Sequence, residues 1–401
     1  MINIITTVSS QILILFFSLI TNKVAASTLS PENYAVYGQA ILFSSFVVAC
    51  VCSGFQNCLL SKDVSNKNVL FVYFNLSIVS SFLLYFVSHE GYILKYLLID
   101  VDLYISPLYL LVLPILYQLF VFQQSSIVSG GRRIDYVFFN TGNAFLCSLL
   151  MLITLYYEIF FLTFILILVR PGLLGVIKFW SYFKGLDVKS FFSRAKEKQE
   201  NVKALSFLLY GIVATVSTIV FSMVIRYILS SDSNIKTVGY FFTAQRIFEL
   251  LLGLSVTYYS TYYYKTISAI ENKSILSKIV IENSCFSLLF FSTLSLILYF
   301  YSTEIVLILF SETQLPATSF FAPLILNMCI NSVVYTIGFA LLSKVNKFKL
   351  ALLEVGLLIM FFLFSNLITP SLIVWLLPIF TSFKLIINVF LFYNLIKSRS
   401  S

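Results

Sequence analysis

Apolar stretches long enough to cross a bilayer recur about twelve times along this chain, and short polar breaks separate them. They run roughly over 4–28, 34–60, 68–88, 103–128, 136–156, 159–182, 204–229, 239–263, 280–302, 318–343, 350–366 and 371–395. A helix rises about 1.5 Å per residue, so each stretch can span the hydrocarbon core as one helix. The breaks carry residues that interrupt helices: Ser30-Pro31, Gly130-Gly131, Gly185 and Thr369-Pro370. Composition excludes a soluble domain. Of 401 residues, 59% are hydrophobic and 11% charged, and mean hydropathy is +0.96. The expected fold is all-α: a polytopic membrane protein of about twelve transmembrane helices.

Charge in the breaks sets an orientation. Of the 26 basic residues, eighteen fall in alternate breaks (61–67, 129–135, 183–203, 264–279, 344–349 and the C-terminus), against four in or beside the other set. The positive-inside rule then places both termini in the cytoplasm. The net charge of +9 reports that orientation, with no nucleic-acid partner implied. No Lys or Arg precedes Lys23, so the first stretch reads as a retained helix without the basic n-region of a cleaved signal. The longest break divides the chain into six stretches at 1–182, a basic cytoplasmic linker at 183–203, and six at 204–401. The six cysteines lie in or beside apolar stretches and read as small core thiols.

The eighth stretch, 238–265, carries Arg246 and Glu249, spaced i, i+3 on one helical face. Gly239, Thr243, Leu250, Gly253, Thr257, Ser260 and Tyr264 share that face, while Phe241, Ile247, Phe248, Leu251 and Leu254 lie opposite, expected toward lipid. A charge at such depth costs about 2.5–3.5 kcal/mol on insertion scales, so it comes with a partner or a task. Two readings stay open: a structural Arg–Glu pair, or a binding or coupling site. Similar polar seams mark three other stretches. The first has Thr7, Gln11, Ser18, Thr21 and Asn22; the second Tyr34, Gly38, Ser45, Cys52 and Gln56; the seventh Gly211, Thr215, Thr218, Ser222 and Arg226. Hydroxyl residues alone suit dry helix packing, but Gln, Asn and Arg beside them point to a shared polar cavity.

Catalytic machinery is not expected. The single histidine, His89, sits in a break beside Glu90, and neither a metal-ligand cluster, a P-loop nor a nucleophile motif occurs. No cofactor is implied.

Four segments bring a family into view. LSPENYAVYGQ (29–39), with Pro31, Gly38 and Gln39, leads into the second stretch, and SGFQNCLLSK (53–62), with Gly54, Asn57 and Lys62, closes it. VGYFFTAQRIFE (238–249) opens the eighth, and SKVNKFKLALLEVG (343–356) leads into the eleventh with the acidic Glu354. Together they resemble O-antigen flippases of the Wzx type, in the superfamily of multidrug, oligosaccharidyl-lipid and polysaccharide exporters. That resemblance implies two pseudo-symmetric six-helix bundles around a central cavity lined by stretches one, two, seven and eight. It implies a substrate, an undecaprenyl-diphosphate-linked oligosaccharide passed from the cytoplasmic to the periplasmic leaflet. It also implies partners: membrane lipids, an O-antigen polymerase and a chain-length regulator.

A diphosphate asks for guanidinium donors, and a glycan for neutral hydrogen-bonding groups. The candidate cavity residues are accordingly Arg246, Glu249, Arg170, Lys384, Arg226, Gln11, Asn22, Gln56, Thr215, Thr218, Thr243 and Thr257. Glu249 is the one deep acid expected. Arg226, three residues from its predicted span end, is expected to snorkel; Lys178 and Glu354 are expected as anchors near the cytoplasmic interface. Two alternatives remain. An O-antigen polymerase would place basic catalytic loops outside, where 89–102 and 303–317 together hold only Lys95. A multidrug or cation antiporter of the same fold would favour an acidic cavity.

Overall fold

The computed structural model describes residues 2–52, 133–169, 198–232 and 235–397, with scattered helical positions between 75 and 127. The predicted third and fourth stretches lie almost wholly outside these residues, as do most of the sixth and of the 183–203 segment. The chain divides into two compact units, Met1–Met223 and Val224–Ser401.

In the N-terminal unit, α1 (Ile2–Thr28) and α2 (Pro31–Cys52) meet at the predicted Ser30-Pro31 break. Pro31 sits where its missing N–H costs nothing, and the Ser30 hydroxyl accepts from the Asn33 N–H at 3.3 Å. α3 (Arg133–Tyr156) packs along α1, and α4 (Phe160–Val169) packs against α2 and α3. Leu42, Phe43, Val47 and Ala49 of α2 form an apolar core with Tyr117, Ile219 and Met223. The last two come from α5 (Lys198–Asp232), a long helix whose C-terminal end belongs to the second unit.

The C-terminal unit continues with α6 (Ile235–Tyr258), a π-helical turn at Tyr259–Tyr263, and α7 (Tyr264–Ser268). Then come α8 (Lys273–Phe300), α9 (Ser302–Leu309), a 3-10 segment (Glu312–Phe320), α10 (Phe321–Lys344) and α11 (Lys347–Ser365). A second 3-10 turn (Pro370–Trp375) leads into α12 (Leu376–Lys397). α10 is the hub, packing against α6, α8 and α12. Asparagines start two of these helices. Asn272 accepts from the Ser274 and Ile275 N–H groups at 2.9 and 3.3 Å, and Asn346 from Phe348 at 2.9 Å. Both relieve amide donors that a helix N-terminus leaves bare.

Among the described residues, eight helices are long and apolar enough to cross a membrane. Their outer faces carry large apolar side chains such as Phe286, Leu289, Phe300 and Ile386, each more than 60% exposed, as lipid contact requires. α6 is not one of the eight, because its polar residues lower its hydropathy. Protein encloses much of it: Val238, Phe241, Phe242, Thr243, Ala244 and Phe248 are at most 3% exposed.

That enclosure corrects one expectation. Phe241, Ile247 and Phe248 do not face lipid; they are buried. Phe241 meets Phe320 edge-on at 5.6 Å, and Phe248 meets Phe321 at 5.3 Å. The cause is the 303–317 break, which folds as α9 and the 3-10 segment and packs back on α6. Val306 and Ala317 are fully buried there, so the segment carries an apolar face of its own.

Candidate functional site

The deepest charge in the C-terminal unit is Arg226, only 1% exposed. It does not snorkel. α5 runs six residues past it to Asp232, and the side chain is buried inside the unit. The guanidinium lies 5.2 Å from the centre of the Phe242 ring and donates from one terminal nitrogen to Gln245 Oε1 at 2.9 Å. Gln245, 7% exposed, donates in turn from Nε2 to Glu249 Oε1 at 2.6 Å. Glu249 Oε2 stands 3.5 Å from a terminal nitrogen of Arg246, with side-chain exposures of 14% for Arg246 and 41% for Glu249. The i, i+3 pair read from sequence is therefore one end of a longer relay: Arg226, Gln245, Glu249, Arg246. Arg246 lies about 16 Å along α6 from Ile235 at helical rise.

Gln245 was missed by sequence reasoning. It is four residues before Glu249, on the same helical face, and that spacing was the available signal. Thr243 is fully buried, and its hydroxyl shares its proton between Gly239 O at 3.1 Å and Gln314 Oε1 at 2.9 Å. Gln314 comes from the Glu312–Phe320 segment, so Thr243 holds that segment to α6. Thr257, half-buried, donates to Gly253 O at 2.9 Å within its own helix.

Lys384 and Glu354 form a separate centre. Lys384 Nζ on α12 sits 2.6 Å from Glu354 Oε1 on α11, with side chains 26% and 9% exposed. Glu354 is thus no interfacial anchor, and Glu249 is not the one deep acid. Glu354 lies seven residues into α11, about 10 Å along it, and packs where α12 can deliver a cation. Between α10 and α12, Asn327 Oδ1 accepts from Thr381 Oγ1 at 2.7 Å and from Asn331 Nδ2 at 3.1 Å. These three amide and hydroxyl groups were also missed.

In the N-terminal unit Asn22 is 1% exposed, and its Oδ1 accepts from the Tyr37 hydroxyl at 3.1 Å. Tyr37 stacks on Tyr34 at 5.8 Å, both at most 1% exposed. Gln11 is half-buried on α1. Thr215 and Thr218 are exposed on α5, and Thr218 donates back to Ala214 O at 3.1 Å. Gln56, Arg170 and Lys178 lie outside the described residues. Of the predicted set, only Arg226, Glu249 and Arg246 come together; Lys384 pairs instead with Glu354, Asn22 with Tyr37 and Thr243 with Gln314.

No protein-family model matches the chain, and no curated protein matches it. Solved structures do. A mutant of the Vibrio cholerae MATE transporter VcmN superposes with a TM-score of 0.64 at 11% identity, covering 99% of this chain and 96% of that one. This is a MATE-type fold. An outward-facing multidrug resistance MATE transporter gives 0.65 at 12% identity, with the same coverage. A MOP superfamily transporter from Pyrococcus furiosus gives 0.67 at 11% identity, again over 99% and 96%. That protein is described as having a binding pocket of reversed polarity, which suggests a different function for it. The chain is thus a multi-pass helical membrane protein with a MATE-type fold along its whole length.

Proposed function

We propose that this protein is a flippase: an alternating-access transporter that moves an undecaprenyl-diphosphate-linked oligosaccharide, an O-antigen or related repeat unit, from the cytoplasmic to the periplasmic leaflet. The observation that carries the reading is the relay around Arg226 and Arg246. Two guanidiniums at membrane depth, one buried and one partly exposed, are costly to place there and suit recognition of phosphate oxygens by planar paired donors. The amides and hydroxyl of Asn327, Asn331 and Thr381, only part-buried, supply neutral groups of the kind that sugar hydroxyls pair with. Membrane lipids surround the chain in this reading, and an O-antigen polymerase and chain-length regulator act beside it. The six-plus-six division and cytoplasmic termini belong to the same proposal.

The rival within the fold is a cation exporter. Glu249 is 41% exposed and Glu354 is buried, so acids are present. Each, however, lies against a cation. Purified protein in liposomes separates the two readings. The flippase reading expects protected transfer of a fluorescent polyprenyl-diphosphate oligosaccharide and no accumulation of a cationic dye. Dye transport without lipid transfer overturns it.

A further inference from the structure

The helix that carries Arg246 and Glu249 does not keep one winding to its end. α6 passes into the π-helical turn at Tyr259–Tyr263 and then into α7, with helical backbone angles at Tyr258 and Tyr264 on either side. The Tyr264 N–H donates to Tyr259 O, five residues back, where an α-helix bonds four back. One surplus residue is wound into the turn.

That surplus decides which side chains share a face. In a π turn residues i and i+5 lie one above the other, and Tyr259 and Tyr264 accordingly both meet the Phe339 ring of α10, at 6.4 and 6.2 Å. In an α-helix the neighbours are i and i+4, here Tyr259 and Tyr263. The Tyr259 hydroxyl is hydrogen-bonded to Ser287 on α8. Tyr263 is 3% exposed, and among the described residues its hydroxyl has no hydrogen-bond partner. The Ser284 hydroxyl on α8 is also buried and lacks one.

Both orphaned hydroxyls are accounted for by one alternative winding. Ser295 of α8 meets Cys329 of α10 at 3.0 Å, while Lys344 at the far end of α10 reaches Ser268, just before α8 begins. α8 therefore runs antiparallel to α10 and to α6. One turn before Ser287 is Ser284, level with the residue one α-turn after Tyr259, which is Tyr263. α7 is only five residues long and ends in the 269–272 break, so it can take up the rotation of about 100° that one residue requires. That rotation draws Tyr264 off Phe339, and draws Ser268 O off Lys344 Nζ, which donates to it at 3.1 Å. Each winding thus has contacts that the other lacks, as a two-state element needs.

We infer that the Tyr259–Tyr263 turn is a register switch: it exchanges the π winding, clamped by Lys344 on Ser268, for an α winding in which the Tyr263 and Ser284 hydroxyls bond to each other. What the switch serves, the exchange between two access states, rests on the proposed function; the two windings are tested without substrate.

The test uses the full chain in detergent micelles, its six native cysteines replaced, with a trifluoromethyl label on Thr266→Cys, an exposed position of α7. Fluorine NMR then gives one resonance per winding, and Lys344→Met enlarges the α-winding resonance. In that background Tyr263→Phe reduces it about fivefold, the worth of one ordinary hydrogen bond. Ser284→Ala does the same, and the two together reduce it no further, because all three lose the same bond. Deleting Ser260 removes the surplus residue, puts Tyr264 four places after Tyr259 and leaves one resonance. A single resonance in both wild type and Lys344→Met overturns the inference, as does a reduction that adds up across Tyr263→Phe and Ser284→Ala. If the deletion variant does not fold, those two substitutions decide alone. Liposome transfer of a fluorescent polyprenyl-diphosphate oligosaccharide separates the two readings. Two resonances without transfer by wild type remove the flippase and leave the switch. Transfer at the wild-type rate by the deletion variant keeps the flippase and overturns the switch.

Discussion

Replacing Lys384 by Met should destabilise the protein more than replacing its partner Glu354 by Gln. The two side chains are 2.6 Å apart, but Glu354 is 9% exposed and Lys384 26%. Removing one member of a fully buried pair costs about 3–5 kcal/mol, because the other charge is left in a low-dielectric site. In Lys384→Met the remaining charge is the deeper one, and a short carboxylate cannot reach water, so about 2–4 kcal/mol is expected after allowing for partial exposure. In Glu354→Gln the remaining ammonium sits on a four-carbon stem and can swing toward solvent, and the amide still accepts a hydrogen bond, so the cost falls to about 1–2 kcal/mol. The double replacement leaves no stranded charge and recovers most of the loss, within about 1 kcal/mol of wild type. SDS-titration unfolding of the purified protein, monitored by helical content, measures all three. Equal losses from the two single variants, or a double variant as unstable as Lys384→Met, would refute the argument that depth sets the asymmetry.

Other perturbations test other parts. Arg246→Ala should abolish transfer of the lipid-linked oligosaccharide while the protein still reaches the membrane, and Arg246→Lys should restore only part, since an ammonium lacks the planar fork; liposome transfer assays read both. Tyr37→Phe removes the hydroxyl that donates to buried Asn22 Oδ1 and should cost about 1–2 kcal/mol of stability in the same unfolding assay. Thr243→Val breaks the tie to Gln314 and should speed proteolysis of the 303–320 segment while leaving the rest of the chain protected. Single cysteines near 65, 132, 195, 272, 346 and 399 should react only with membrane-permeant reagents in intact cells; outside labelling of the 183–203 segment would invert the orientation.

Much of this architecture is written locally. Runs of about 20 apolar residues are helices whatever they touch, because lipid offers the backbone no other partner. Pro31, Asn272 and Asn346 mark helix starts through contacts with their own neighbours, so those boundaries also follow from sequence. The Arg246–Glu249 pair belongs to the same class, since i, i+3 spacing brings the two side chains to one face of any helix.

What the sequence could not determine are the contacts that join different helices. Arg226 looks like a residue near a span end until α5 is seen to continue and α6 to bring Gln245 against it. Glu354 looks interfacial until α12 places Lys384 beside it. The apolar side of α6 looks lipid-facing until the Glu312–Phe320 segment folds over Phe241. Hydropathy counts the side chains on one helix and carries no record of which neighbour covers them. The sequence by itself therefore determined which segments are helices and which residues are costly at depth, because those follow from backbone hydrogen bonding and transfer free energy. Only the tertiary structure decided which costly residues meet, because interhelical partners are set by packing between segments distant in the chain.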